Sequence, residues 1–526
     1  MKFIFPMHIQ RISKHLLFLL IINVSTTILY AQPAEKLNEL PRSGINVTWQ
    51  NMAHLSTSAA LTNAMKNSSY WLGNPNFSVD EHGYPTELEE GENASLFIYN
   101  GTRHYPTGDY TLKWDGSGKI KIETCSNGNF TFEPDDNNKQ TVPVTRVCDG
   151  GIRLTILETS KGDHIRNIRF YLPGYDDNSS YWTDHYINFH SQFGVIRFAW
   201  GSGMYSSHSR WNERSELGDL NWSDSDQHPE IHNGIPVEAK VDLANRAGVD
   251  LWICTPVRAS RRYQRKLATI IRDQLAPGLK CWIEWGNEYW NCGKWGYEGC
   301  VYIKELTNQN DLNSAQNYAH EALDLFADFT GVFSSTGERN RLITVLGGQS
   351  GYSWELKNST DEINSLGRMN EVDVFAIAPY FHGGEKVNKA YRSAGMDSVF
   401  NLLNKQVKRI YNGKGETGKA FKGNFDLARK YNKSMVAYEG GQHLTTWMGV
   451  MSGLPSKINR NEKMYKLYRS YLKEWESVDV TSTFVHYSDI ASYNQDEAFG
   501  LKEYYDQPLL QTHKLRAFLK WLSVNR

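Results

Sequence analysis

The chain has 526 residues, of which 40% are hydrophobic and 22% are charged. This composition is typical of a globular protein with a large core and excludes a disordered, collagen-like or coiled-coil chain. The 57 basic and 58 acidic side chains give a formal net charge of −1, and the basic residues are dispersed, so no nucleic-acid partner is expected. Aromatic residues reach 13%, with 16 Trp and 29 Tyr. Because cores are filled mostly by aliphatic residues, we expect some of these rings to line a groove, for which sugars are one obvious ligand class.

The first 31 residues have the pattern of a targeting segment. Three basic residues precede an apolar run from Leu16 to Val24, and a small residue follows at Ala31. The pattern predicts a signal peptide over residues 1–31, cleaved after Ala31, and a secreted or periplasmic protein without a membrane span after cleavage. A membrane anchor is the alternative, but polar residues interrupt the run too early for a span.

Export makes the six cysteines candidates for disulfides. Two local pairs are candidates, and the other two cysteines lie in apolar runs where we expect buried thiols. The candidate pairs are Cys125 with Cys148 and Cys292 with Cys300, and the expected thiols are Cys254 and Cys281.

The first predicted strand after the signal is Gly44–Trp49, within the region 32–94. From residue 95 to residue 172, hydrophobic residues alternate with period two and turn signals separate the runs. This pattern predicts an antiparallel β subdomain inserted between the first and second strands of the main domain. An aromatic face that binds carbohydrate and a lid or scaffold are both open interpretations of this insert.

Residues 173–526 alternate between apolar strands and helices. The predicted strands are Gly194–Trp200, Val249–Thr255, Leu279–Trp285, Arg341–Gly347, Val372–Tyr380, Ser434–Glu439 and Thr481–Tyr487. The predicted helices are Val237–Arg246, Tyr263–Leu275, Ser314–Phe329, Glu462–Trp475 and Leu510–Leu522. Apolar strands alternating with helices predict a parallel sheet covered on both faces, and eight such units indicate a (β/α)₈ TIM barrel of the α/β class. An open doubly wound sheet is the alternative.

Two carboxylates fall where a barrel of this kind places chemistry. Glu288 follows the fourth strand in the segment Glu284–Asn291, beside Asn287 and between two tryptophans, and Glu439 ends the seventh strand. Glycosidic bond cleavage needs one protonated and one ionised carboxyl group, so the pair is a candidate catalytic centre. Glu284 lies on the same strand face but deeper, and we expect it to pair with an inward-facing Arg.

Glu439 is followed by Gly440-Gly441, a turn that would let the backbone approach a ligand closely.

These residues resemble the clan A glycoside hydrolases, in which an Asn-Glu pair closes strand four and a Glu closes strand seven. The segments His164–Gly174, Pro236–Gly248 and Glu284–Asn291 also resemble bacterial exported proteins labelled as cellulose- or carbohydrate-binding. The clan resemblance implies retaining hydrolysis, with Glu288 as acid/base and Glu439 as nucleophile. It further implies supporting roles for Asn287 at the sugar 2-hydroxyl, for Arg197 at the nucleophile, and for Tyr380 and His382 at the end of strand six.

Other candidate substrate-binding residues stand at predicted strand ends or in the following loops, where a glycan would lie. They are Trp49, Trp200, Trp290, His443, Trp447, His486 and Tyr487. The last two stand at the end of strand eight, where many clan members have Trp.

The sequence therefore predicts an exported retaining glycoside hydrolase that acts on a polysaccharide or oligosaccharide and requires no metal or organic cofactor. A non-catalytic carbohydrate-binding protein on the same barrel is the chief alternative, and a cell-surface adhesion protein is a more distant one. Sugar identity, linkage, endo or exo action and oligomeric state are not fixed by these patterns.

Overall fold

The structure is a computed structural model. It describes residues 40–48, 53–73, 76–125, 129–133, 138–177, 179–199, 208–223, 234–292, 298–479 and 481–524. Residues 41–526 form one compact unit. The predicted signal peptide, Trp49 and Trp200 lie outside the described residues.

Fifteen strands in the described part of the chain form three sheets. In chain order they are β1 (Ser43–Asn46), β2 (Ala94–Tyr99), β3 (Gly108–Asp115), β4 (Gly118–Thr124), β5 (Asn129–Phe132), β6 (Lys139–Val144), β7 (Ile152–Thr159), β8 (Arg166–Tyr171), β9 (Val195–Phe198), β10 (Asp250–Thr255), β11 (Cys281–Trp285), β12 (Leu342–Gly347), β13 (Val374–Ile377), β14 (Ser434–Ala437) and β15 (Phe484–Tyr487).

Eight of these strands form a closed parallel barrel in the order β1-β15-β14-β13-β12-β11-β10-β9. The first strand pairs in parallel with both β9 and β15, and this pairing closes the sheet. All eight predicted barrel strands are present. The prediction of a TIM barrel is therefore confirmed, and the open doubly wound alternative is wrong. Below, the first to eighth barrel strands are β1 and β9 to β15 in chain order, and the mouth is the end at which these strands terminate.

Helices cover the outside of the barrel. In chain order the described helices are α1 (Asp184–His190), α2 (Val237–Ala247), α3 (Arg261–Gln274), α4 (Glu298–Gln309), α5 (Ser314–Ser334), α6 (Trp354–Ser365), α7 (Glu385–Tyr411, kinked at 394–395), α8 (Gly415–Lys430), α9 (Leu454–Asn459), α10 (Lys463–Val478) and α11 (His513–Leu522).

The predicted helices are present, and local signals set their ends. Helix α3 starts two residues before its predicted start because the Ser260 hydroxyl accepts a hydrogen bond from the Tyr263 amide and caps it. Helix α2 follows Pro236 and ends at Gly248, whose φ of 68° is the left-handed conformation that favours glycine. Helix α3 buries Leu267 and other apolar residues, which stabilises the helix through packing rather than propensity.

The segment between β1 and β9 contains the predicted antiparallel subdomain. Its strands form a four-stranded sheet, β2-β7-β4-β5, and a three-stranded sheet, β6-β3-β8. Buried side chains such as Leu96, Ile120 and Phe170 form a hydrophobic cluster separate from that of the barrel. Between the two buried positions of β4 is the half-buried Lys121, which pairs with Glu123 at 3.0 Å.

The cysteines are arranged as predicted. Cys125 and Cys148 form one disulfide, Cys292 and Cys300 form another, and Cys254 and Cys281 are buried thiols. Within the described residues, no helix combines the length and apolar character that a membrane span requires.

Candidate active site

Charged side chains occupy the inside of the barrel near its mouth, and Arg197 lies at their centre. It is fully buried on the second barrel strand, and its Nη2 donates to Glu284 Oε2 at 2.9 Å and to Asn287 Oδ1 at 2.7 Å. Its Nη1 donates to Glu439 Oε2 at 3.3 Å. A planar guanidinium can serve three acceptors in this way because its donors point in fixed directions. Arg197 therefore links the ends of the fourth and seventh strands.

Glu439 accepts hydrogen bonds from three other strand ends. Asn46 Nδ2 donates to its Oε2 at 3.1 Å, Arg197 donates to the same oxygen, and the Tyr380 hydroxyl donates to its Oε1 at 3.0 Å. Asn46 is in register with Arg197 in the parallel sheet, which brings both donors to one height in the barrel. These contacts fix the orientation of the carboxylate, which is 9% exposed.

Opposing influences act on the proton of Glu439. Burial and the negative charge of Glu288 raise its pKa to about 8, while Arg197 and the Tyr380 hydrogen bond lower it. Desolvation disfavours the ionised carboxylate, and a second carboxylate nearby disfavours it further. The Tyr438 hydroxyl, from the residue before Glu439, contacts Glu288, and Arg197 contacts both Asn287 and Glu439, so both carboxyl groups lie at the same mouth.

Glu288 has a different environment. It follows the fourth strand with a φ of 48°, an uncommon backbone conformation for a residue with a side chain. The Tyr438 hydroxyl donates to its Oε1 at 2.5 Å, and Asn291 Nδ2 donates to its Oε2 at 3.2 Å. Both donors are neutral, and the side chain is half-buried. Strained backbone of this kind persists where surrounding contacts determine it, and it is frequent at functional sites.

Glu284 lies deeper on the same strand and has structural partners. Its Oε2 accepts from Arg197, from Trp252 Nε1 at 2.9 Å and from the Cys254 thiol at 3.4 Å. The predicted pairing of Glu284 with an inward-facing Arg is confirmed. Burial raises the pKa of the Cys254 thiol well above its ordinary value.

Aromatic rings lie side by side around Glu439, on the loops after the sixth, seventh and eighth strands. The Tyr380 and His443 ring centroids are 5.1 Å apart, and the His443 and Trp447 centroids are 6.4 Å apart. Phe499 lies 5.7 Å from His443 and 5.1 Å from Tyr487. Burial lowers the pKa of His443 to about 4, so its imidazole is neutral at neutral pH.

Three other candidate residues have different surroundings. His382 lies near His443, with an exposed side chain. Trp290 is half-buried and packs against Tyr289 at a centroid distance of 5.1 Å. His486 is fully buried and faces the helical layer: its Nε2 lies 3.1 Å from the Tyr468 hydroxyl on α10. Alternation along β15 turns its side chain outward, so His486 lies behind the Gly440-Gly441 turn in a supporting position rather than at the mouth.

The Gly440-Gly441 turn also differs from its predicted role. A Cβ on Gly440 would lie 2.8 Å from the Phe484 ring, and one on Gly441 would lie 2.9 Å from the Tyr468 hydroxyl. The amide of Gly441 donates to the Tyr471 hydroxyl at 3.1 Å. These glycines therefore allow close packing on aromatic side chains of β15 and α10.

Asn46, Tyr438 and Trp252 belong to this network although the sequence analysis did not select them. Asn46 ends the first strand and Tyr438 precedes Glu439, so their position at strand ends was the available signal. Nothing in the sequence around Trp252 indicates its hydrogen bond to Glu284. The described residues contain no group of three or more His, Cys, Asp or Glu side chains that could hold a metal ion.

No protein-family model matches this chain, and no curated protein matches it. Its fold is similar to that of a family 51 α-L-arabinofuranosidase from Bifidobacterium longum, with 13% identity, a TM-score of 0.39, and coverage of 60% of this chain and 62% of that one. It is also similar to an endo-1,4-β-D-xylanase from Clostridium thermocellum, with 9% identity, a TM-score of 0.37, and coverage of 88% and 96% respectively. A family 44 xyloglucanase from Paenibacillus polymyxa has 9% identity and a TM-score of 0.37 over 57% of this chain and 70% of its own.

Proposed function

We propose that this chain is a retaining glycoside hydrolase in which Glu439 is the nucleophile and Glu288 is the acid/base. The observation that carries the proposal is the contrast between the two carboxyl groups at one mouth. Glu439 accepts from the cation Arg197 and from Asn46 and Tyr380, whereas within the described residues the donors to Glu288 are the neutral Tyr438 and Asn291. Charge-assisted hydrogen bonds favour the ionised form of the group that accepts them.

This contrast supports a division of labour between the two groups. Burial and the negative charge of Glu288 raise the pKa of Glu439, so the two groups together hold one proton near neutral pH. Arg197 favours the negative charge on Glu439 in the reactive state, and Glu288 stands at the less buried side of the pair, where a leaving oxygen can take a proton from it. A protonated acid beside an ionised nucleophile is the state that retaining hydrolysis requires.

The reaction then proceeds in two steps. Glu288 gives its proton to the leaving oxygen while a Glu439 oxygen attacks the anomeric carbon, so the glycosidic bond breaks and a glycosyl ester forms. A water molecule then attacks the anomeric carbon, Glu288 takes its proton, and the ester bond breaks to regenerate Glu439. Arg197 holds the oxygen of Asn287, which leaves the amide nitrogen of that side chain to donate to the sugar 2-hydroxyl.

We extend the proposal to substrate and location. The aromatic surroundings of Glu439 suit a polysaccharide or oligosaccharide, because aromatic faces stack on the C–H faces of sugar rings. The two disulfides suit an oxidising compartment, in agreement with the signal peptide predicted at the N-terminus.

Product stereochemistry and a matched pair of variants test the function. We expect the wild type to release a sugar with the anomeric configuration of the substrate, detected by proton NMR during early turnover of plant β-glucans, xylans or mannans. Glu439→Gln should lose at least 10⁴-fold in kcat because no neutral side chain replaces the nucleophile. The exposed Glu416→Gln on α8 is the control and should retain activity.

An inverted product would contradict the assigned mechanism. Binding of these glycans without turnover in the wild type would instead identify a non-catalytic carbohydrate-binding protein.

A further inference from the structure

A row of aromatic side chains, of which Trp447 is the exposed member, extends from the candidate site along the loops after the seventh and eighth strands. It consists of His443, Trp447, Tyr487 and Phe499, and is called the aromatic shelf below. The Trp447 and Phe499 centroids are 6.3 Å apart, and those of Phe499 and Tyr487 are 5.1 Å apart. Trp447 is 53% exposed, the largest exposed fraction of any tryptophan among the described residues. A large ring left in solvent beside other rings needs an explanation other than core packing.

The shelf is held in place by hydrogen bonds beneath it. The Thr446 amide donates to the Asp496 carbonyl at 3.0 Å, and its hydroxyl donates to the Asp496 carboxylate at 2.9 Å, which ties the two loops together. Asn388 on α7 donates to the Gly449 carbonyl and accepts from the Met451 amide, both at 2.8 Å. Trp447 is therefore exposed on a fixed turn. A surface fixed before binding loses little conformational entropy when a ligand binds.

A small polar cavity adjoins the shelf. Its lining includes Tyr487 and Phe499 together with Thr48, Ser488, Ser492 and Glu497. An aromatic face beside hydroxyl and carboxylate groups matches a sugar ring, which has an apolar face and a polar edge.

The barrel order fixes where the shelf lies relative to the two carboxyl groups. The eighth strand, β15, stands four positions from the fourth strand, β11, in the closed barrel, so it lies across the mouth from Glu288. The leaving group must lie within reach of the acid that protonates it. The shelf is on the other side of Glu439, and a sugar bound there belongs to the part of the substrate that the nucleophile retains.

The geometry points to a second sugar subsite on the aromatic shelf, which binds an uncharged sugar unit next to the one that Glu439 attacks, on the side away from the leaving group. This inference rests on the proposed function. It adds that the retained fragment contains at least two sugar units, so the protein releases oligosaccharides rather than single terminal sugars. The Asp496 carboxylate lies beneath the shelf, where it accepts from the Thr446 hydroxyl, and its negative charge disfavours uronates or sulfated sugars by repulsion. His443 stays neutral at neutral pH and adds no cation to attract them.

Binding to inactive protein tests the subsite independently of turnover. The probes are cellotetraose, xylotetraose, mannotetraose and tetragalacturonate, titrated by calorimetry against Glu439→Gln and against Glu439→Gln carrying Trp447→Ala. We expect Trp447→Ala to weaken binding of the preferred neutral tetrasaccharide about tenfold, equivalent to about 1.4 kcal/mol. Trp354→Ala is the matched control, since Trp354 is exposed on α6 and outside the shelf. It should leave the affinity unchanged.

Kinetics on active protein provide the second measurement. The probes are 4-nitrophenyl β-glycosides of glucose, xylose and mannose, each with one sugar or with two β-1,4-linked sugars. We expect kcat/KM to be higher for the two-sugar substrate than for the one-sugar substrate of the preferred series. Trp447→Ala should reduce the ratio of these two kcat/KM values about tenfold. A merely structural role for Trp447 would lower both values together and leave the ratio unchanged.

The outcomes separate this inference from the proposed function. Equal effects of Trp447→Ala and Trp354→Ala, no binding of any probe, or a preference for tetragalacturonate would overturn the subsite. If Trp447→Ala weakens binding but the wild type hydrolyses none of the probes, the subsite stands and the hydrolase assignment is wrong.

Discussion

Replacing Glu439 with glutamine should stabilise the protein above neutral pH, although it removes the proposed nucleophile. In the folded state burial and Glu288 raise the pKa of this carboxyl from 4.5 to about 8. Between these values the folded protein holds a proton that the unfolded chain has released. The free energy of unfolding therefore falls as pH rises through this range, and the contribution is fully lost above pH 8.

The size of the effect follows from the width of this range. One pH unit corresponds to about 1.4 kcal/mol, so the wild type should lose up to about 4 kcal/mol between pH 5 and pH 8 from this group. Glutamine does not titrate and fits the same site. Its carbonyl oxygen can accept from Asn46 and Arg197, and its amide can donate to the Tyr380 hydroxyl, which reverses its role from donor to acceptor. The free energy of unfolding of the variant should therefore increase relative to that of the wild type as pH rises.

Urea unfolding at pH 5, 6, 7 and 8, followed by tryptophan fluorescence, measures this difference. The stability of Glu439→Gln minus that of the wild type should increase by about 1.4 kcal/mol per pH unit. The exposed Glu416→Gln variant controls for the general effect of removing one charge and should give a flat line. A flat line for Glu439→Gln would refute the reasoning, because it would mean that the folded pair of carboxyl groups holds no more protons in this range than the unfolded chain does.

Two further substitutions, Tyr380→Phe and Cys292→Ser, test how the carboxyl groups are positioned, with Cys125→Ser as a control. Tyr380→Phe removes a hydrogen bond to the ionised Glu439, worth about 1.5–3 kcal/mol, so kcat should fall about 10- to 150-fold while thermal unfolding changes little; an unchanged kcat would contradict the role of this hydroxyl. Cys292→Ser opens the bridge next to the turn that carries Glu288, and Cys125→Ser opens the bridge of the β subdomain. Loop-closure entropy predicts a larger stability loss for Cys125→Ser, about 3.4 kcal/mol against about 2.5 kcal/mol for loops of 23 and 8 residues. We nevertheless expect only Cys292→Ser to lower kcat, about tenfold, and an equal loss in both variants would show that the effect is not local.

The barrel and its insert were predictable because each depends on local periodicity. Apolar runs such as Val249–Thr255 alternate with amphipathic helices, and this alternation has few solutions other than a parallel sheet covered by helices. The period-two pattern of residues 95–172 likewise predicts antiparallel strands. Once the order of strands was known, the ends of the fourth and seventh strands pointed to Glu288 and Glu439, because a barrel collects its strand ends at one mouth.

The sequence by itself thus determined the fold class, the two candidate carboxyl groups, the Glu284 pairing and the two disulfides. Only the tertiary structure decided which side chains complete the site. Strand β15 is buried on both faces, so its sequence shows no alternation that would distinguish the barrel interior from the helical layer. For that reason Tyr487 joins the aromatic shelf while His486 turns toward α10. Asn46 reaches Glu439 across 393 residues of sequence, and such a contact depends on the closure of the barrel rather than on any local pattern.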